Sequence, residues 1–405
     1  MSKPFLAVYA VCIVILSFRL ITFYQSQKTY KQGEDIIFTT QIDSNPKFSS
    51  YYQTVYVNID ALNKVLIKTD VDRNLAYGDY IKVSGRLKTI LLNDRSTIFT
   101  LDHPKIEANF RENVLPLAVV YSIRQKIIAN FKSNLDPVSA GLMLGIVFGI
   151  KENLPKEFLE DIQITGVMHV IAASGMNVTM VSGFLFYIFG AFFRRQTAIL
   201  LSVLGIFFYT GLAGFEASIV RAAIMGTIVF SAQALGRQTF ALNTLLITAF
   251  FMFLVRPDFL VDTGFQLSFA ATLGLLYIPN IFKKIQNSFT ESFITTFSAQ
   301  LATLPILVSN FGNYSLWSIV VNGLILWTVP ILMILGAVAA FFSFVFPLAS
   351  SLILYLCLPF LYFFESIVTV FGNLKQSFAV ESLPWPFTLS YYLLLTSIIV
   401  FKVRK

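Results

Sequence analysis

The sequence predicts a polytopic α-helical membrane protein with a small extracytoplasmic all-β domain, OB-fold-like, near its N-terminus. Three observations carry this. Of 405 residues, 56% are hydrophobic and only 13% charged, against about 25% charged in ordinary soluble domains. The charge is also segregated, with 23 charged residues among the 89 of Tyr24–Glu112 and 27 among the 293 of Asn113–Lys405. Finally, the charge-poor region is built of long apolar runs, whereas the charged region alternates apolar and polar residues with the period of strands.

Residues 1–23 read as a transmembrane anchor. Phe5–Phe23 is a 19-residue run with one charge, Arg19, long enough at 1.5 Å per residue for a hydrocarbon core of about 30 Å. The flank Ile21-Thr22-Phe23-Tyr24-Gln25-Ser26 lacks a small-residue cleavage site, so the anchor is expected to stay attached.

Residues 24–112 form the β domain. Val55, Val57 and Ile59 share one face, Val65 and Ile67 a second, and Ile81, Val83 and Leu87 a third. Short strands of this kind, separated by turns such as Tyr77-Gly78-Asp79-Tyr80, suit a small barrel of the OB type. In Tyr80–Lys88 the side chains of Lys82, Ser84, Arg86 and Lys88 point away from the apolar face. With Tyr80, Tyr77, Tyr51, Tyr52 and Tyr56 nearby, this basic stripe has the cations and rings that single-strand binders use. A plain solvated strand face explains the same pattern.

Residues 113–136 predict an amphipathic helix at the membrane surface, since apolar positions at helical spacing accompany Arg124, Lys126 and Lys132. Residues 137–405 form the multi-pass body. Pro137–Ile150, at 14 residues, is too short to span and reads as re-entrant or interfacial. Beyond it come about nine further crossings, one of them a continuous run over Leu316–Phe346. Arg194-Arg195, Arg237, Lys283-Lys284 and the terminal Lys402, Arg404 and Lys405 fall on one side, which the positive-inside bias makes cytoplasmic. The C-terminus is then cytoplasmic, the β domain lies outside, and the expected location is the cell membrane.

Composition excludes several chemistries. The two cysteines, Cys12 and Cys357, lie far apart in apolar runs, and with only His103 and His169 no cysteine- or histidine-rich metal centre is available. No cofactor is expected. The net charge of +8 is spread along the chain and forms no dense nucleic-acid arm.

Polar residues inside apolar spans tend to face a cavity or a partner, because a charge there costs at least about 2.5 kcal/mol. Three groups stand out. The first runs from Gly166 through His169, Ala172, Ala173, Ser174 and Gly175 to Asn177. On one unbroken helix His169 and Ser174 would lie about 7.5 Å apart axially and roughly 140° apart around it, so they pair only across a helix break. Hydrogen bonds to neighbouring helices account for His169 and Asn177 equally well. The second group is Glu216, Arg221, Arg237 and Asn243, with Arg221 about five residues inside a span; neutralisation by Glu216 or snorkelling is the plainer account of Arg221. The third is Asp262-Thr263-Gly264-Phe265-Gln266-Leu267-Ser268, followed by Gln300, Pro305, Asn322 and Pro330, which interrupt later segments.

Gly166–Asn177 resembles the G..H..A.SG.H signature of the ComEC-type competence proteins, a bacterial family that moves transforming DNA across the cytoplasmic membrane. The resemblance continues through Arg221-Ala222 and Met225, Gly236-Arg237, Asn243, Pro257, Asp262–Phe269, Leu304-Pro305, Phe311, Ser315, Asn322 and Pro330. It implies a channel for single-stranded DNA, with no catalytic residue. Its conduit would be lined by His169, Ser174, Gly175, Asn177, Arg221, Gln266 and Asn322, and its outer domain would bind the strand through Tyr80, Lys82, Arg86 and Lys88. Asn177 stands where the family pattern usually has a second His. Many members carry a metallo-β-lactamase-like domain, and no H-x-H-x-D-H motif occurs up to Lys405. The implied partners are therefore single-stranded DNA, membrane lipids, a separate nuclease, a DNA receptor, a cytoplasmic motor and a second copy of the chain. Without the resemblance, the polar spans fit a transporter of a small solute or lipid-linked glycan equally well. An intramembrane hydrolase would need His169 and Ser174 paired.

Overall fold

The computed structural model describes residues 3–403 apart from 29, 43–46, 49–51, 61–62, 71–74, 76–78, 94–95, 111–114, 151–153, 172–173, 283–290, 312, 316, 375–376 and 380–383. Tyr51, Tyr77, Gly78, Ala172, Ala173, Lys283, Lys284, Arg404 and Lys405 thus lie outside the described residues. The chain divides into two compact units, Met1–Ile123 with Phe253–Asp258, and Arg124–Met252 with Phe259–Lys405.

The first unit opens with α1 (Lys3–Ser26), an apolar helix whose Val11, Val14 and Phe18 are exposed. A helix that is apolar without being buried in protein suits lipid. The one charge within its apolar run, Arg19, donates from Nε to the Leu254 carbonyl at 3.2 Å, which gives the guanidinium a partner within the unit.

Eight strands follow: β1 (Asp35–Gln41), β2 (Lys47–Phe48), β3 (Tyr52–Asn58), β4 (Lys64–Asp70), β5 (Tyr80–Arg86), β6 (Lys88–Asn93), β7 (Ser96–Asp102) and β8 (Lys105–Phe110). They form a three-stranded sheet in the order β1-β5-β8 and a five-stranded sheet in the order β2-β3-β4-β7-β6. Pairing is antiparallel except between β4 and β7. Two features connect the sheets. A single antiparallel bridge joins Ile42, just past β1, to Val57 of β3. The strand that is β5 in one sheet also continues through Leu87 into β6 of the other, and Leu87 exchanges backbone hydrogen bonds with Gly33 and Glu34. The pairings therefore run in a closed circuit, β1 to β3 to β4 to β7 to β6–β5 and back to β1.

Alternation sets what this circuit encloses. Val55, Val57, Val65, Ile67, Ile81, Val83 and Leu87 are each at most 1% exposed and share one core with Ile36, Ile42, Leu75 and Leu101. The three faces read from the sequence thus meet in a single interior, with Ile59 packed at its edge. Removing this apolar area from water is what holds the strands together.

The second unit begins within α2 (Leu115–Asn134). Arg124, Ile127, Ile128 and Phe131 of this helix are buried at helical spacing, while Lys126 and Lys132 stay exposed. Next comes α3 (Pro137–Phe148), in which every residue from Ser139 to Phe148 is buried. Its ends are written in the sequence. Asp136 accepts from the Ser139 N–H, Pro137 occupies the first turn, and Gly149 takes the left-handed conformation with φ of 72°. At 12 residues it is about 18 Å long. It is a half-length helix enclosed by protein on all sides, not one lying at an interface.

The remaining helices are α4 (Lys156–Thr165), α5 (Met168–Ile171), α6 (Gly175–Phe192), α7 (Arg195–Leu212), α8 (Ala217–Ala234), α9 (Ala241–Val255), α10 (Thr263–Tyr277), α11 (Glu291–Phe311), α12 (Ser318–Ile325), α13 (Thr328–Val345), α14 (Pro347–Gly372) and α15 (Trp385–Val403). A short antiparallel pair, β9 (Asn313–Ser315) with β10 (Ser377–Ala379), links two of the connections. α3 packs on α13 at Gly336, where an added Cβ would stand 2.6 Å from Val147 Cγ2 and 2.7 Å from Met143 Cε. Only a glycine allows that approach.

Among the described residues, seven apolar segments are long enough to cross a membrane: Tyr9–Ser26, Met168–Phe192 (which comprises both α5 and α6), Arg195–Leu212, Ala217–Ala234, Thr263–Phe282, Thr328–Val345 and Pro347–Gly372. The protein is accordingly a multi-pass membrane protein carrying an all-β region. The sequence suggests more crossings than these. Three expected crossings are not among the seven: α9 and the Pro386–Lys402 stretch of α15 are shorter apolar helices, and α11 is not one of the seven segments. The run Leu316–Phe346 is divided at Leu326-Trp327 into α12 and α13 but still supplies one span, Thr328–Val345.

Leu87, wholly buried where the strand passes between sheets, is the position whose truncation should most loosen the β domain. Leu87→Ala is expected to lower its stability by about 2–5 kcal/mol. Ile37→Ala, at a side chain 72% exposed, should change it by less than about 0.5 kcal/mol. Denaturant unfolding of the full chain checks this, and equal midpoints for the two variants would refute the core assignment.

Candidate functional site

The chain breaks where the sequence places its first polar group. α4 stops at Gly166, in the left-handed conformation with φ of 73°. α5 lasts four residues, and Ser174 is extended, with φ −119° and ψ 168°, before α6 starts at Gly175. His169 and Ser174 thus sit on opposite sides of a helix break. The Ser174 hydroxyl donates to Asn177 Oδ1 at 2.9 Å, whereas His169 is hydrogen-bonded to the backbone of Gly166. The serine–histidine pair that a hydrolase needs is not formed.

Asn177 is 1% exposed, and its Nδ2 donates to the Ile146 carbonyl at 2.8 Å. The next carbonyl, Val147, accepts from the Tyr209 hydroxyl at 2.7 Å. Both acceptors lie in the last turn of α3, where the helix has no further N–H to offer them. The glycine turn serves only Gly145 and Leu144, which accept from the N–H groups of Gly149 and Ile150. Side chains from α6 and α7 therefore complete the end of a helix that water does not reach. Tyr209 is absent from the candidates read out of the sequence. The available signal was a phenol among apolar residues of a span, since a buried hydroxyl needs a partner.

Arg221, in the second turn of α8, is 8% exposed. Its Nη1 donates to the Ser268 carbonyl at 2.9 Å and to the Thr272 hydroxyl, both on α10. These acceptors are neutral oxygens, and Nε is buried with no partner. Nη2 lies 3.0 Å from where a Cβ on Gly175 would stand. Glycine at the first residue of α6 thus lets a guanidinium approach the amino end of that helix, which already carries about half a positive charge. Ser174, Gly175, Asn177 and Arg221 come together here.

The other candidates lie elsewhere in the unit. Gln266, in the first turn of α10, donates to the Leu260 carbonyl at 2.9 Å, and Asp262 caps that turn by accepting from the Phe265 N–H at 2.7 Å. Asn322 is 1% exposed, and its Nδ2 donates to Ser318 Oγ at 3.1 Å while its Oδ1 has no partner. Ser318 also accepts from Gln300 at 3.2 Å and reaches the Gly166 carbonyl at 3.5 Å. Asn322 thus belongs to a second polar node shared with the Gly166–His169 segment.

On the β domain the expected stripe does face outward, but its cations are engaged locally. Lys82 bonds Glu107 at 2.9 Å, Lys88 bonds Asp102 at 3.0 Å, and Arg86 Nε donates to the Gly33 carbonyl at 2.8 Å. The Lys82 hydrogen bond and charge, helped by Lys105, hold the Glu107 carboxyl below the usual carboxylate range. Tyr80 is half-buried between Gln41 and Phe110 in register. Among the described residues no group of three or more His, Cys, Asp or Glu side chains is placed to hold a metal ion.

Residues 146–405 match the family described as Competence protein. That span contains every intramembrane candidate from His169 to Asn322 and none of the β-domain residues. Among curated proteins, ComE operon protein 3 of Bacillus subtilis (strain 168) is 31% identical over 232 residues, covering 57% of this chain and 29% of that protein. An uncharacterized protein of Aquifex aeolicus (strain VF5) is 27% identical over 191 residues, covering 46% of this chain and 45% of its own. The chain spans less than half the length of these relatives. No solved structure matches it.

The capping geometry sets an expectation for α3. Asn177→Ala leaves the Ile146 carbonyl buried and unpaired, which should cost about 1–3 kcal/mol and lower both thermal stability in detergent and membrane abundance. Asn177→His, which keeps a donor, should retain more of each. Wild-type melting of Asn177→Ala would contradict the capping role.

Proposed function

Because the chain belongs to the competence protein family, we propose that it conducts single-stranded DNA across the cytoplasmic membrane during natural transformation. The observation that carries this reading is Arg221. A guanidinium is held inside the membrane body against a helix amino end, with neutral oxygens for partners and N–H capacity to spare. Two positive elements side by side in low dielectric call for an anion. A phosphodiester passing one nucleotide at a time meets that need and leaves again.

In this reading phosphates cannot cross hydrocarbon bare, so Arg221 offsets their charge. His169, Ser174, Gly175, Asn177, Gln266 and Asn322 line the route with weaker contacts that permit release. Residues 1–23 anchor the chain and residues 24–112 face outward. Residues 113–136 lie along the membrane surface, and residues 137–405 form the channel domain. The strand circuit of the β domain supports an OB-like barrel that collects the incoming strand. Strand degradation, DNA capture and the driving force come from a separate nuclease, receptor and cytoplasmic motor, and the channel domain itself performs no chemistry.

Deleting the gene should abolish entry of labelled DNA into the cytoplasm while leaving surface binding intact; undiminished entry would end this reading. For Arg221→Gln, transformation should fall about ten-fold or more, as expected for a lost charge-assisted contact, at unchanged membrane abundance. A fall in abundance that matches the fall in transformation would make Arg221 a structural tie between α8 and α10. Purified chain in vesicles should admit oligonucleotides and not small sugars; the reverse would favour a solute or lipid-linked glycan transporter.

A further inference from the structure

The β domain carries a second outward face with a different chemistry from the stripe on β5. Along β3 burial alternates strictly, so Gln53, Val55 and Val57 point inward while Tyr52, Thr54, Tyr56 and Asn58 point out. Along β4 Val65, Ile67 and Thr69 point inward while Lys64, Leu66, Lys68 and Asp70 point out. Register aligns Thr54 with Lys68 and Asn58 with Lys64. Each lysine is thus the diagonal neighbour of a tyrosine, Lys68 of Tyr52 and Lys64 of Tyr56, at the separation over which long and aromatic side chains touch. The first pair is in contact, with Lys68 Nζ 4.0 Å from the Tyr52 ring centroid. The two ring–cation pairs repeat at four residues along both strands, about 13 Å apart.

Charge separates this face from the one on β5. A phosphate approaching Lys82 or Lys88 meets a carboxylate bonded to that lysine at 2.9 Å or 3.0 Å. Lys64 and Lys68 make no ion pair among the described residues. The acids nearest Lys68 in register are occupied elsewhere: Asp102 bonds Lys88, and Asp70 bonds His103 Nδ1 at 3.2 Å.

We infer that single-stranded nucleic acid seats on the outward face of β3 and β4, with bases on Tyr52 and Tyr56 and phosphates on Lys64 and Lys68. The repeat suits a polymer that presents a ring and an anion at regular intervals, and unpaired bases are required because a duplex hides its ring faces. This assignment rests on the DNA-uptake reading and moves the outer contact away from Lys82, Arg86 and Lys88.

The test uses the full chain in lipid nanodiscs and the fluorescence anisotropy of a dye-labelled oligothymidylate. Tyr52→Ala and Tyr56→Ala should each weaken binding by about five- to one-hundred-fold, the range for loss of one base stack, while Tyr52→Phe keeps wild-type affinity. Replacing Lys64 and Lys68 together by Ala should lower the slope of log affinity against log salt by about 1.4, the share of two phosphates on a single strand. Lys82→Ala with Lys88→Ala should leave affinity within about two-fold, as expected for exposed, internally paired charges. The inference is overturned if the Lys82 and Lys88 variants lose binding and the tyrosine variants do not, or if duplex binds as well as single strand. Either result leaves the uptake reading standing, provided the gene deletion still blocks entry. A wild-type chain that binds no oligonucleotide overturns this inference and removes the outer domain from the uptake reading as well.

Discussion

A peptide carbonyl enclosed in an apolar interior must find a donor, and the second unit is arranged around meeting that demand at the end of α3. A helix of about 18 Å cannot carry its ends out to the two membrane surfaces, so its last carbonyls stop among side chains. Gly149 bends the chain back to serve two of them, and Asn177 and Tyr209 serve two more. Three helices are thereby fixed to one another by groups whose misplacement leaves a polar atom bare. Burial of α3 against α13 at Gly336 then follows from shape, because the direction and depth of α3 are already set.

The same end cap shapes the start of α6. Asn177 receives the Ser174 hydroxyl while holding Ile146, so Ser174 is drawn into the cap of α3 and makes no side-chain cap bond to α6. The first turn of α6 is left facing Arg221 across Gly175. An arginine in that position is costly, and α10 relieves part of the cost with the Ser268 carbonyl and the Thr272 hydroxyl. The remaining N–H capacity is the feature that an anionic ligand can use. Asn322 presents a smaller version of the same situation, with one half of its amide bonded and the other unpartnered.

In the β domain the division of labour is between core and surface. Alternating apolar residues close the strand circuit without help from charge, which leaves the outward side chains free to differ from face to face. On β5 and β6 lysines meet acids across strands and neutralise one another. On β3 and β4 lysines meet tyrosines, and the charge stays available. Exposed ion pairs contribute little to stability, so the pairing pattern bears on what each face can attract more than on whether the domain folds.

Periodicity and composition determined by themselves that this chain is membrane-embedded with an all-β region, because burial in lipid or in a strand core acts on each residue according to its own polarity. They also set Pro137–Ile150 apart as an apolar segment too short to span, since length and polarity are read residue by residue, whereas the caps at Asp136 and Gly149 and the break before Gly175 came from the structure. Which polar groups meet was beyond their reach. That Asn177 and Tyr209 hold neighbouring carbonyls of α3, that Arg221 faces Gly175 while bonding α10, and that Lys82 is taken by Glu107 are contacts between residues 25 to 62 positions apart. Only the packing of helices and the register of strands bring such groups within hydrogen-bonding distance.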